Sequence, residues 1–145
     1  MTARADRAAR HRRAERRRFE VRFRRAMKRL MIHMVLADGR VDDRELRAVS
    51  DIYARLSGRA LALGEVGAEA MRLSASDADP PSIAAELAPS LNDAGKEVVV
   101  RAVLLVAAAD GRVSREEAEL LAGIARSLEI TEAHLRDIVS STLTP

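Results

Sequence analysis

The stretch Ala37-Asp38-Gly39-Arg40-Val41 recurs almost letter for letter as Ala109-Asp110-Gly111-Arg112-Val113, and reading these two phrases together decides the fold. At the same offset Glu45 pairs with Glu117, Val49 with Leu121, Ile52 with Ile124 and Leu56 with Leu128. A helix in matching register therefore follows each phrase, and the chain reads as a duplicated helix-turn-helix unit. Glycine supplies the left-handed conformation that closes a preceding helix, so Gly39 and Gly111 are the structural turns. Asp42 with Glu45, and Ser114 with Glu117, have the spacing of a capping box, and Val41 before the first cap can staple onto Leu46.

Outward from the first phrase, Phe19, Phe23, Met27, Leu30 and Met34 recur every three or four positions, which predicts a core helix from Phe19 to Leu36. After the turn, Leu46, Val49, Ile52 and Leu56 form the buried face of a helix that stops at Gly58. Glu65 to Leu73 reads as a short helix, Ser74 to Pro81 as a polar connection, and a further short helix runs from the prolines to about Ala88. Asn92 or Asp93 can cap a helix through Ala109 whose segment Val98 to Val106 is apolar on nearly every face, making it the central buried element. Leu121, Ile124 and Leu128 repeat the buried stripe. Thr131 caps a last helix with Leu135, Ile138, Val139 and Leu143 facing inward. The expectation is an all-α bundle of about seven helices with an internal pseudo-repeat, and no strands.

The 145 residues suit one domain, and 48% hydrophobic content can supply its core. Cysteine is absent, which excludes disulfides, thiolate zinc sites and thiol catalysis, and is consistent with cytosol. The arginine-rich start with no apolar segment behind it does not read as a secretory signal. Val98 to Ala109 is interrupted by Arg101 and far shorter than the ~20 residues of a membrane span.

Charge is strongly polarised. Residues 1–30 carry 13 Lys/Arg against 3 Asp/Glu, while residues 31–145 carry 12 against 19. Residues 1–18 hold Arg4, Arg7, Arg10, Arg12, Arg13, Arg16, Arg17 and Arg18 among alanines, with nothing large and apolar to bury. This N-terminal extension either prolongs the next helix outward or stays disordered until a partner neutralises it, and residues 19–145 form the helical domain. Such a head is suited to an anionic counter-surface: nucleic acid, an anionic membrane or an acidic protein. For nucleic acid it offers phosphate neutralisation without base reading, since the only aromatics are Phe19, Phe23 and Tyr53. For membranes it lacks an apolar face, leaving reversible peripheral attachment. A solvated extension without a partner is the plainer alternative.

The acidic residues near the turns, Asp38, Asp42, Glu45, Asp110 and Glu117, invite comparison with a calcium loop. An EF-hand also sets a glycine six residues before its last glutamate. Its first and third ligands would fall on Met34 and Leu36 in one copy and on Val106 and Ala108 in the other. Hydrocarbon ligates no calcium, so an EF-hand is excluded. Capping accounts for Asp42 and Glu45, while Asp38 and Asp110 are less well explained. A divalent-metal site remains an alternative, with no cofactor expected otherwise. His11, His33 and His134 are scattered, and His33 reads as a packed, hydrogen-bonded histidine. No phosphate loop, nucleophile elbow or acid-base constellation is present, so no small-molecule substrate and no catalytic residue are expected.

Two Ala-Asp-Gly-Arg-Val phrases about seventy residues apart, each followed by a glutamate six residues after the glycine, resemble the tellurite-resistance TerB-like family over roughly residues 20–143. The resemblance implies a compact helical domain with a pseudo-repeat, found in bacterial tellurite-resistance proteins and, in related form, at the N-terminus of a membrane-anchored DnaJ-like co-chaperone. It further implies a stress-related interaction module rather than an enzyme, cytoplasmic and often near the inner face of a membrane. The family's acidic signature falls on Asp38 with Glu45 and on Asp110 with Glu117. The expected function is a non-catalytic module that presents an acidic surface at the turns to a protein partner, while the basic head holds an anionic one.

Overall fold

A computed structural model describes residues 2–76 and 78–144; Met1, Asp77 within the expected polar connection, and Pro145 lie outside it. Seven α-helices follow one another: α1 Ala3–Leu36, α2 Asp43–Ser57, α3 Leu63–Ser74, α4 Pro80–Leu87, α5 Asp93–Ala107, α6 Arg115–Ser127 and α7 Glu132–Leu143. One 3-10 turn, Ala88–Ser90, joins α4 to α5, and no strand occurs among the described residues. None of the helices is long and apolar enough to cross a membrane.

The largest departure from expectation is α1, which begins at Ala3 rather than near Phe19. Alanine and arginine are good helix formers, and Thr2 caps the start, its hydroxyl accepting from the Ala5 N–H at 3.3 Å. Of the two states open to the basic head, the structure has the helical one. Residues 3–18 bury no large side chain, and only the small Ala5, Ala9 and Ala14 are partly covered. Phe19 and Phe23, expected in the buried stripe, are half-buried, with ring centroids 5.8 Å apart.

The other end of α1 is its opposite. Met27, Leu30, Met31, Ile32, Met34 and Val35 are all sealed from solvent. Each such side chain contributes about 2 kcal/mol relative to exposure. Around this segment pack α2, α3, α4 and α5. On α5, Val99, Val100, Val103, Leu104 and Val106 are equally enclosed. The bundle therefore has two central helices. The stripe at Met27, Leu30 and Met34 signalled one face of α1, whereas Met31, Ile32 and Val35 cover the others.

Most element ends obey local chemistry. Gly58 closes α2 in the left-handed conformation, Asn92 caps α5 by accepting from the Gly95 N–H at 2.8 Å, and Thr131 caps α7 by accepting from the His134 N–H at 3.1 Å. Several expected core positions sit outside it. Leu56 is 40% exposed, Leu143 43% and Val41 55%, so the staple of Val41 on Leu46 covers little. His33 is half-buried, but its Nε2 meets no partner, contrary to the hydrogen-bonded histidine expected. Burial, with Arg29 nearby, lowers its pKa.

Candidate functional site

The two Asp-Gly turns are built alike. Gly39 at φ +77° and Gly111 at φ +86° take the left-handed region, and their N–H groups donate to Leu36 O at 3.1 Å and Ala108 O at 2.9 Å. No atom lies within 4 Å of where a Cβ would stand at either position, so backbone conformation rather than crowding selects glycine. Asp38 Oδ1 accepts from the Arg40 N–H at 3.0 Å, and Asp110 Oδ1 accepts from the Arg112 N–H at the same distance. This is the side-chain mimicry of a turn that short acidic residues favour. It supplies the role for Asp38 and Asp110 that capping left open.

The helices after the turns begin differently. At α6 the capping box is complete: Ser114 Oγ accepts from the Glu117 N–H at 3.1 Å, and Glu117 Oε1 accepts from the Ser114 N–H at 2.8 Å. At α2 only half of it forms. Asp42 Oδ1 accepts from the Arg44 N–H at 2.7 Å, and the Arg44 guanidinium grips both Asp42 oxygens at 3.2 and 3.1 Å. Those bonds hold the Asp42 carboxyl below its ordinary pKa. Glu45 does not reach back to Asp42, and the expected reciprocal box is absent there.

Glu45 instead turns inward to Glu117. Both are 2% exposed, so the acidic surface expected at the turns lacks two of its five members. Oε2 of Glu45 is buried with no donor facing it. Two ionised carboxylates in such a place would each be desolvated and would repel one another. A proton resolves the conflict, because protonated Glu45 donates to Glu117. Burial first, then that hydrogen bond and the charges of Glu117, Asp110 and Asp38, push the Glu45 pKa up to about 9. At neutral pH Glu45 keeps its proton, and Glu117 uses Oε1 for the Ser114 cap.

Of the sequence-expected residues, Glu45 and Glu117 are the buried pair, the charges of Asp110 and Asp38 reach Glu45, and Asp42 is paired with Arg44. No three carboxylate, histidine or cysteine groups converge as metal ligands among the described residues. The eight arginines of residues 4–18 line the exposed half of α1, and none lies within ion-pair distance of a carboxylate among the described residues. Three further polar features escaped sequence reasoning. Glu69 is 8% exposed and ion-paired to Arg72 at 2.8 Å, one turn along α3. His134 on α7 meets Glu97 on α5 at 2.6 Å. The third is a pair of arginine-lined clefts beside α1. Only the Glu69–Arg72 spacing of three carried a sequence signal. No hydroxyl is hydrogen-bonded to a histidine ring among the described residues, and Ser82 donates to Asp79 Oδ2 at 2.7 Å.

An all-helical bundle in which two Asp-Gly turns deliver a buried glutamate pair defines a class of small helical modules. The model of the family described as tellurite resistance protein TerB matches residues 24–139, and the chain belongs to that family. Residues 1–23 and 140–145 lie outside the match. No curated protein and no solved structure matches the chain significantly.

Proposed function

We propose that this TerB-family protein is a non-catalytic docking module, related to tellurite resistance or a wider stress response, whose arginine helix attaches it to an anionic partner. The observation that carries the reading is the exposed first half of α1, a helix on which eight arginines have no carboxylate within ion-pair distance among the described residues. Arginine forks suit phosphate and carboxylate, and displaced counterions strengthen such binding at low salt. The bundle, with one end of α1 anchored in it, supplies the surface for a protein partner. Membership of the TerB family supports a module rather than an enzyme, and a cytoplasmic place at the inner face of a membrane fits the same arm. The test is binding of labelled duplex DNA and of anionic vesicles to the full chain and to a chain lacking residues 2–18, across several salt concentrations. The truncation removes no buried large side chain, so the bundle remains. Arm-dependent binding that weakens steeply with salt is expected for at least one surface. Failure to bind either surface at low salt refutes attachment through the arm.

A second reading has one specific observation in its favour, the orphaned Oε2 of Glu45 beside Glu117 with Asp38 and Asp110 close enough to raise its pKa. A divalent cation could replace the Glu45 proton there if Asp38 and Asp110 left their turns. Calcium or magnesium titration followed by amide shifts tests it. No movement at Asp38 or Asp110 at millimolar ion eliminates the cation.

A further inference from the structure

We propose that the cleft between α1 and α3 binds a phosphorylated ligand through a multiply charged phosphate group, at a site separate from the arm. The cleft encloses about 470 Å³ and is lined by Arg24, Arg25, Lys28 and Arg29 of α1, Arg72 of α3, and Tyr53. At 100° per residue the four α1 cations fall within an arc of about 140°, one side of the helix. Their spacing makes Arg24 and Lys28, and Arg25 and Arg29, like-charged neighbours one turn apart, an arrangement that destabilises a helix. Unlike the arginines of the arm, Arg24, Lys28 and Arg29 are half-buried. None of the four has a carboxylate within ion-pair distance among the described residues. Arg29 also disfavours the charged form of His33 one turn away, a sign that its charge is felt locally.

The one carboxylate in the cleft wall is already engaged. Glu69 pairs with Arg72 at 2.8 Å and so fixes that guanidinium at the cleft rather than neutralising the α1 row. A second cleft of about 400 Å³, between α1 and α4, shares Arg25 and Arg29 and adds Arg22. Arg25 and Arg29 therefore border both clefts, and Glu86 of α4 lines the second. A row of cations, three of them half-buried, with no carboxylate within ion-pair distance among the described residues calls for a multiply charged anion, and guanidinium forks match phosphoryl oxygens in bidentate fashion. Tyr53 and Leu73 give the organic part of the ligand an apolar wall. The volume lies within the range of small-molecule sites.

The full chain is titrated with inorganic pyrophosphate and followed by amide shifts, with phosphatidic-acid vesicles as a second arm. Saturable shifts at residues 21–29 and around Arg72 are expected at about millimolar pyrophosphate or below. In the double variant Arg24→Gln/Lys28→Gln the affinity should fall about tenfold or more, as expected for lost charge-assisted bonds. The thermal midpoint of this variant should be unchanged or higher, because a like-charge pair is relieved, so misfolding does not mimic the loss. Neutralising the arm by Arg12→Gln/Arg13→Gln/Arg16→Gln/Arg17→Gln should leave pyrophosphate binding within about twofold, which separates this site from attachment through the arm. Vesicle binding that depends on Arg24 and Lys28 assigns the phosphate to a lipid headgroup, and pyrophosphate binding alone assigns it to a soluble ligand. Absence of saturable shifts with both probes, or shifts spread equally over residues 4–18, overturns the proposal.

Discussion

Replacing Glu45 by glutamine should make the protein more stable at neutral and alkaline pH, which is unusual for a buried residue in a tightly packed place. The folded chain holds a proton on Glu45 up to about pH 9, whereas the unfolded chain releases it near the ordinary value of 4.5. The native state therefore binds more protons throughout that window, and stability declines as pH rises through it. Each unit of the window costs about 1.4 kcal/mol, so the ceiling on the penalty at pH 7 is about 3 kcal/mol, reduced by local relaxation to about half. Glutamine carries no titrating proton. Its amide can still donate to Glu117, and its volume is nearly unchanged. Urea unfolding of both chains at pH 5, 7 and 8.5 reads the effect directly. The curves should nearly coincide at pH 5 and separate by about 1–3 kcal/mol at pH 8.5, the variant being the more stable. His33 acts oppositely and in another window, because its lowered pKa means stability is lost as pH falls below 6.5. Comparing the two chains at each pH cancels that contribution. Parallel pH profiles, or a variant less stable than the parent at pH 8.5, would refute the retained proton.

Ser114→Ala removes the α6 cap and should cost about 1 kcal/mol, seen as a lower urea midpoint at unchanged slope. Gly111→Ala places a side chain at φ +86° in open space, so the cost should be about 1 kcal/mol from backbone conformation alone, measurable as a lower thermal midpoint. Leu30→Ala empties a fully enclosed position on α1 and should cost about 2–5 kcal/mol by urea denaturation. Removal of residues 2–18 should leave the unfolding free energy from urea titration within about 0.5 kcal/mol, since those residues bury no large side chain, while removing the arm-dependent part of binding to anionic surfaces.

The helices were legible where local chemistry acts alone. Gly58, Asn92, Ser114 and Thr131 mark ends that the backbone needs, whatever packs nearby. The full helical extent of the head was open, because propensity favoured helix while the absence of burial favoured disorder. Asp42 and Glu45 show where local reading stops. Their spacing fits a capping box, yet Arg44 takes Asp42 and Glu45 turns inward toward Glu117 of α6. That encounter joins residues 72 positions apart, and pattern within a single helix cannot report it. The same holds for the cleft beside α1, where Arg24 and Lys28 gain meaning only once α3 brings Arg72 and α2 brings Tyr53 alongside.

The uninterrupted course of α1 has a mechanical consequence. Ala3–Leu36 contains neither glycine nor proline, the usual sites of a sharp kink. About 24 Å of the helix lies upstream of Phe19, and the same rod ends among Met31, Ile32, Met34 and Val35. Whatever grips the free end therefore fixes the azimuth and tilt of the whole bundle as well as its location. A flexible tether would leave the body tumbling beneath its anchor; this one works as a lever, and sideways load on its tip reaches the best-packed residues first.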